Sequence, residues 1–364
     1  MNTYLFPGQG SQYKGMGKAL FAQFPEQVDC ANNLLGYSIS ELCTQDPHNQ
    51  LNNTQYTQPA LFVVSVLAYL HHIKTAHCAP NFFAGHSLGE FAALYASGAI
   101  TFEDALKLVI KRGELMSAAP RGAMAAIIGT NSQALLACLH NEQLSTIDIA
   151  NFNSHDQLVI SGLVDDITRA QTFIEKLGAR FIQLNTSGAF HSRYMMPAKT
   201  EFASYLNSVS FSALNQPVIA NVTAQPYQFA DIKHTLIEQI TSPVKWTQSI
   251  EYLLAQGDMQ FTELGPKKVL TKLVHSIEQN SCAKQSLHTA NPAEKQPMSP
   301  QHTIDNWNRH YPIGTRVKLN TPSSPYHSQQ LTTRSQAQLL FGHRPVVYIT
   351  GYSGYFALTQ LQPM

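Results

Sequence analysis

The chain has 364 residues, a formal charge of +1 at pH 7 with only 13% charged residues, and five cysteines. That length can bury one large core or two to three smaller ones, and the near-neutral balance offers no electrostatic footprint for nucleic acid. Cys30, Cys43, Cys78, Cys138 and Cys282 are scattered with no C-x-x-C spacing, which argues against a disulfide framework or a zinc site and fits a reducing compartment.

The opening MNTYLFPGQG lacks a basic segment ahead of a long apolar core and does not read as a secretory leader. TYLF (3–6) reads as a short buried strand running into the turn PGQGSQ, with helical patterns at about 17–35 and 58–74. The longest apolar run, ALFVVSVLAYL (60–70), is about half a membrane span and reads as a buried helix. A soluble, cytoplasmic protein with no membrane partner is expected. HHIKTAHC (71–78) is the densest of the histidine clusters, but His71, His72 and His77 do not share one helical face, so no metal site is expected.

NFFAG (81–85) reads as a strand, SLGEFAALYASG (87–98) as a helix, and TFEDALKLVIKRGELMSAA (101–119) as a second helix with Thr101 as N-cap and Asp104 in the capping-box position. The rhythm then changes. Strand 123–129, helix 132–140, strands 147–152 and 157–162, helix 164–178 and strand 179–185 make the β-α-β-β-α-β order of a ferredoxin-like unit. The α/β pattern resumes with helix 193–207, strand 217–220, helices 232–240 and 246–256, strand 260–265 and helix 267–279. Residues 285–303 are polar and proline-bearing and read as a linker. The tail beyond 304 has strand-like GTRVKL and PVVYIT and a turn-then-strand GYSGYFAL, with Tyr348, Tyr352, Tyr355 and Phe356 read as core aromatics.

GHSLGE (85–90) places Ser87 in G-x-S-x-G spacing between a strand and a helix. That context presents a serine on a sharp turn with helix N–H groups and the helix dipole aimed at a developing oxyanion. A serine hydroxyl needs a base. His86 is adjacent, but neighbouring side chains on a turn diverge. His191, in SGAFHSRYM, lies 104 positions later (191 − 87) where the chain re-enters the main domain; from the residues alone it is either the base or a structural histidine. Arg112 is a surface arginine on an amphipathic helix or, given Leu108, Leu115 and Met116 around it, a buried one. Asn151 and Asn153, in ANFNS, read as turn residues of the hairpin, with cleft lining as the alternative.

FPGQGSQYKGMG (6–17), GHSLGE (85–90), IKRGELM (110–116), GAMAAIIG (122–129), ANFNS (150–154), SGAFHS (187–192), SPVKWTQSIEYL (242–253) and ELGPKKVL (263–270) occur in one order. Together they resemble the malonyl-coenzyme A:acyl carrier protein transacylases, most closely in kind the free-standing acyltransferases that serve modular polyketide synthases. The resemblance covers about residues 1–285. It implies Ser87 as nucleophile, His191 as base, the backbone N–H groups of Gln9 and Leu88 as oxyanion hole, Arg112 as clamp for the malonyl carboxylate, and the Gln239 carbonyl as the group that orients His191. It also implies that Phe190 disfavours a C2 methyl.

The fold class expected is α/β: an α/β-hydrolase-like main domain (1–122 and 189–284), a ferredoxin-like insert (123–188), a linker (285–303) and a C-terminal extension of unassigned role (304–364). The function implied is transfer of malonyl from coenzyme A through Ser87 to the phosphopantetheine thiol of an acyl carrier protein, for polyketide or fatty acid synthesis. No bound cofactor or metal, no nucleic acid partner and a monomer are expected. The alternatives are a polyketide-associated acyl hydrolase and a non-catalytic scaffold that binds carrier protein.

Overall fold

Short apolar strands, buried on both faces, set the frame. The computed structural model describes residues 1–76, 79–289, 300–319, 330–340, 344–351 and 355–363, and the chain divides into two units, Met1–Lys284 and Gln285–Met364. The first begins with β1 (Asn2–Phe6), α1 (Lys18–Phe21), α2 (Pro25–Leu35), α3 (Ile39–Thr44), α4 (Thr54–Thr75), β2 (Phe82–Gly85), α5 (Gly89–Ala96) and α6 (Phe102–Ala118). It continues with β3 (Ala123–Ile128), α7 (Ser132–Asn141), β4 (Asp148–Ser154), β5 (Gln157–Gly162), α8 (Val164–Lys176) and β6 (Arg180–Gln183). Then come α9 (Met196–Leu206), β7 (Val218–Ile219), α10 (Ile232–Gln239), α11 (Trp246–Leu254), β8 (Gln260–Glu263) and α12 (Val269–Thr289).

β7, β2, β1 and β8 lie in that order in a parallel sheet. The period of two along β1 divides its side chains between two cores. Tyr4 and Phe6 join the larger one with residues of α4, α5, α6 and α9. Leu5 joins the other with Trp246 and Ile250 of α11 and Leu270, Val274 and Ile277 of α12. Both sheet faces are therefore covered, as parallel strands require.

Residues 123–183 form a second sheet with the order β4-β5-β3-β6, every neighbouring pair antiparallel. Leu135 and Leu139 of α7 and Ile167, Ala170 and Ile174 of α8 pack against Ala125, Ile127 and Ile160 in a separate core. β4 is at the sheet edge, yet its outer side is occupied: Val244 N–H donates to Ala150 O at 2.8 Å and Phe152 N–H donates to Val244 O at 2.9 Å.

Several elements differ from the expectation. The helical pattern at 17–35 is two helices, because Pro25 starts a new one at its first turn. Helix α3 was not anticipated; Ser38 caps it by accepting from Glu41 N–H at 3.2 Å. Within the expected linker 285–303, α12 runs on through Thr289 and a helix restarts at Pro300. No Gly or Pro interrupts the chain between Val269 and Pro292, and helix needs no apolar stripe to continue. Residues 290–299 lie outside the described residues, as do His77 and Tyr352.

The second unit has its own core. After α13 (Pro300–His310) come β9 (Arg316–Leu319), β10 (Leu331–Thr332), β11 (Gln338–Leu340), β12 (Arg344–Tyr348), β13 (Tyr355–Ala357) and β14 (Leu361–Pro363). They form antiparallel sheets β10-β9-β14 and β11-β12-β13. Ile304 and Trp307 of the helix meet Val317, Val347 and Ile349, and Phe356 packs against them; the Arg334 guanidinium lies 5.3 Å from the Tyr348 ring centroid. Among the described residues, no helix is long and apolar enough to cross a membrane.

One buried carboxylate shapes the turn between β8 and α12. Glu263 accepts from Leu270 N–H at 3.1 Å, Thr271 N–H at 2.9 Å and Thr271 Oγ1 at 2.7 Å, so it caps the helix N-terminus with favourable charge. Glu263→Ala leaves those donors without an acceptor and is expected to lower stability by about 1–3 kcal/mol. Urea unfolding measures it, and an unshifted midpoint would contradict the capping role.

Candidate active site

The turn between β2 and α5 is closed by contact. A Cβ on Gly85 would lie 2.0 Å from the Gly89 carbonyl carbon, and one on Gly89 would lie 2.0 Å from Phe6 O. Only glycine fits either position. Between them Ser87 sits at φ 52°, in the left-handed region, a strain that surrounding structure must hold. Asn221 does so. Its Oδ1 accepts from Ser87 N–H at 2.7 Å and its Nδ2 donates to Gly85 O at 2.7 Å.

Ser87 Oγ is 2.7 Å from His191 Nε2. On the far side of the ring, Nδ1 is 2.9 Å from Gln239 O and 3.1 Å from Ser242 O. Both are carbonyl acceptors, so the network assigns the proton to Nδ1 and leaves the Nε2 lone pair facing the serine. Burial, then the positive charge of Arg112, holds the imidazole down to about 3, so at neutral pH it is an unprotonated base. His86 diverges, as expected: its Nε2 lies 2.9 Å from Asn153 Oδ1.

Arg112, only 1% exposed, ends beside the serine. Its Nη2 donates to Ser87 Oγ at 3.1 Å and to Gln239 Oε1 at 3.0 Å, and Nη1 donates to Gln58 Oε1 at 2.8 Å. Its buried Nε–H has no hydrogen-bond partner among the described residues. Burial lowers its pKa to about 10, which leaves it cationic at pH 7. It is thus a buried cation whose hydrogen-bond partners are all neutral.

Glu90, one turn after the serine, is fully buried and was not singled out from sequence. It accepts from Tyr227 Oη, from Asn221 N–H and from Gln239 Nε2. Gln239 Nε2 also donates to Ser87 O at 3.0 Å. Asn221, Gln58 and Tyr227 were likewise missed. For Glu90 the available signal was a carboxylate inside the otherwise apolar helix EFAALYA; for the others, none was local.

The N–H groups of Gln9 and Leu88 make no hydrogen bond among the described residues, and both residues line the same cleft of about 400 Å³ as Ser87, Arg112, Phe190 and His191. Asn151 and Asn153 also line it. They belong to strand β4, not to a hairpin turn, which corrects the turn reading: Phe152, the residue between them, packs against the core of the second sheet, and the two asparagines face the cleft. Among the described residues no group of three His, Cys, Asp or Glu is placed to hold a metal ion.

Residues 3–316 match the acyl transferase domain family. The polyketide biosynthesis malonyl CoA-acyl carrier protein transacylase PksC of Bacillus subtilis (strain 168) is 50% identical over 77% of this chain and 98% of its own length. The malonyl CoA-acyl carrier protein transacylase of the same strain is 41% identical over 76% of this chain and 90% of its own length. The crystal structure of a malonyl CoA-acyl carrier protein transacylase from Burkholderia pseudomallei is similar with a TM-score of 0.75 and 48% identity, over 77% of this chain and 98% of that one. The chain belongs to the acyl transferase domain family and, within it, to the malonyl CoA-acyl carrier protein transacylases.

Burial raises the Glu90 carboxyl from 4.5 to about 7. Between those values the folded chain keeps a proton that the unfolded chain has lost, so stability falls as pH rises through that window. His191 works in the opposite sense and only as pH falls below 6.5 toward 3. Glu90→Gln removes the first titration. The melting temperature of wild type is expected to fall more between pH 5 and pH 8 than that of the variant, and equal slopes would contradict the burial argument.

Proposed function

We propose that this chain transfers a malonyl group from coenzyme A to the phosphopantetheine thiol of an acyl carrier protein, through an ester on Ser87. The observation that carries this reading is Arg112: a buried guanidinium with neutral partners, one N–H unpaired, 3.1 Å from the serine oxygen. Such a cation favours an anionic ligand over a neutral acyl chain, since no anion is hydrogen-bonded to it. A carboxylate one carbon from the thioester carbonyl meets the need through the planar, forked geometry of the guanidinium.

In the first half-reaction, His191 Nε2 takes the Ser87 hydroxyl proton as Oγ attacks the thioester carbonyl. The N–H groups of Gln9 and Leu88 receive the oxyanion. Collapse breaks the C–S bond, and the coenzyme A thiolate takes the proton back from His191. The carrier-protein thiol then repeats these steps in reverse on the malonyl-serine. The Gln239 carbonyl, with that of Ser242, keeps the imidazole in the tautomer this needs, in place of a third carboxylate. Ser87 is the only covalent carrier, so the chemistry calls for no bound cofactor or metal. Phe190 is buried in the cleft wall over Gly188, which supports a preference for malonyl over a substrate with a C2 methyl. The higher identity to the polyketide-pathway relative than to the other transacylase of the same strain favours service to a polyketide synthase.

We read the first unit as an α/β-hydrolase-like domain interrupted by a ferredoxin-like insert. The parallel sheet with the serine turn after β2 supports the first label, and the antiparallel order β4-β5-β3-β6 supports the second.

Malonyl-coenzyme A without acceptor is expected to add one malonyl group to the protein mass. Ser87→Ala should abolish the adduct, and His191→Ala should slow its formation by roughly 10²- to 10⁴-fold. Labelling of the Ser87→Ala protein at the wild-type rate would overturn the assignment. Arg112→Ala should lower kcat/KM for malonyl-coenzyme A strongly while raising acetyl use relative to it. If wild type hydrolyses neutral acyl thioesters faster than it transfers malonyl to carrier protein, the chain is an acyl hydrolase.

A further inference from the structure

Among the described residues that line the cleft, Arg112 and Lys267 are the only arginine or lysine, and there is no Asp or Glu. The two cations are placed differently. Arg112 is buried against Ser87, whereas Lys267 is exposed. The lining that accompanies them is amide, hydroxyl, imidazole and hydrocarbon: Asn153, Asn185, Thr186, Leu273 and their neighbours. A ligand that is anionic at both ends and neutral between them fits this distribution.

The backbone singles out Lys267 independently. Among the described residues, seven other than glycine have positive φ, and three of the seven line the cleft: Ser87 at 52°, His191 at 56° and Lys267 at 63°. Two are the reacting pair of the proposed mechanism. Such strain is maintained where structure over-determines a functional geometry. For lysine the left-handed conformation costs about 1–2 kcal/mol, and glycine would adopt it freely. The turn is held at both ends. Glu263 caps the helix that follows, and Gly265 packs so closely on the first loop that a Cβ there would come within 2.7 Å of Pro7. Lys267 Nζ donates to Gly10 O at 3.2 Å, beside the loop that carries Gln9. Lys268 turns away and donates to Glu263 O.

We propose that Lys267 binds the phosphate at the far end of the pantetheine arm, while Arg112 binds the malonyl carboxylate at the near end. This rests on the malonyl-transfer reading above. Coenzyme A presents a diphosphate there and a carrier protein presents a phosphodiester; the chemistry is shared. An ammonium on a flexible stem suits a phosphate that arrives twice per turnover on two different carriers.

The test compares substrates with and without the phosphate, in the intact chain. Lys267→Gly suits the backbone and so keeps the turn folded, Lys267→Met keeps the stem, and Lys267→Arg keeps the charge. Acylation of Ser87 is measured with malonyl-coenzyme A and with malonyl-N-acetylcysteamine, which lacks the phosphate. The Gly and Met variants are expected to raise KM for malonyl-coenzyme A about three- to tenfold with kcat nearly unchanged. The loss should be confined to the phosphate-bearing substrate, restored by Arg, and diminished at high salt. Equal loss with both substrates would make Lys267 a staple for the Gly10 loop and overturn the proposal, as would no loss with either. In the second half-reaction, carrier protein is compared with free pantetheine as acceptor. A loss with carrier protein assigns the phosphodiester to the same residue, and a loss limited to coenzyme A assigns the diphosphate alone. Failure of wild type to form any malonyl-Ser87 would instead sink the malonyl-transfer reading itself, before Lys267 is at issue.

Discussion

Three of the hydrogen-bonding groups of Gln239 each serve a different part of the site. Its backbone carbonyl faces His191 Nδ1, its side-chain oxygen accepts from Arg112, and its side-chain nitrogen donates to Ser87 O and to Glu90. A side-chain amide can sit in either of two flips, and the neighbours decide between them. Arg112 has donors only, so it fixes the amide oxygen toward itself and turns the nitrogen to Ser87 O and Glu90. The His191 imidazole, the Ser87 turn and the Arg112 guanidinium are therefore held by one residue at the end of α10. A residue so shared gives precision, but it also couples the parts: nothing at this residue can move without moving base and clamp together.

The pieces of this site that announce themselves in sequence are those whose chemistry is local. The serine between two glycines, with a strand before it and a helix after it, is legible because the turn needs small residues on both sides, and the close contacts at Gly85 and Gly89 are the reason. Arg112 stood out by its apolar helix neighbours. Asn221 could not stand out. It is an ordinary asparagine 134 positions from Ser87, and its role depends on β7 lying beside β2. Glu90 was visible within the motif but without a function, because its partners Tyr227 and Gln239 lie 137 and 149 positions later in the chain. Asn151 and Asn153 were read as turn residues by propensity, and strand register outweighed propensity.

The same contrast holds for the fold. In the first unit, alternation and length located the strands and most helices to within a few residues, whereas helix ends were misjudged where composition and hydrogen bonding disagree; in the second unit α13, β10, β11 and β14 were not anticipated. The region after Thr271 looked like a helix that stops near 279 and then a linker, because its apolar pattern fades. Apolar pattern reports which face is buried, not whether backbone bonds continue, so α12 runs further. Resemblance across eight motifs supplied what neither pattern nor propensity could: the roles proposed for a backbone carbonyl and two backbone N–H groups, whose side chains carry no information about them.

An edge strand with unpaired N–H and C=O groups is a template for a stray chain. β4 would be such an edge, but Val244 bonds to it on both sides of Asn151, and Thr247 Oγ1 adds a further bond to Phe152 O. The second sheet is thus stitched by its backbone to a segment nearly a hundred residues later in the chain. A module boundary drawn by topology at 123–188 would cut those bonds. Any transplant of residues 123–183 would have to carry the 243–247 segment with it, or leave β4 as a raw sheet edge.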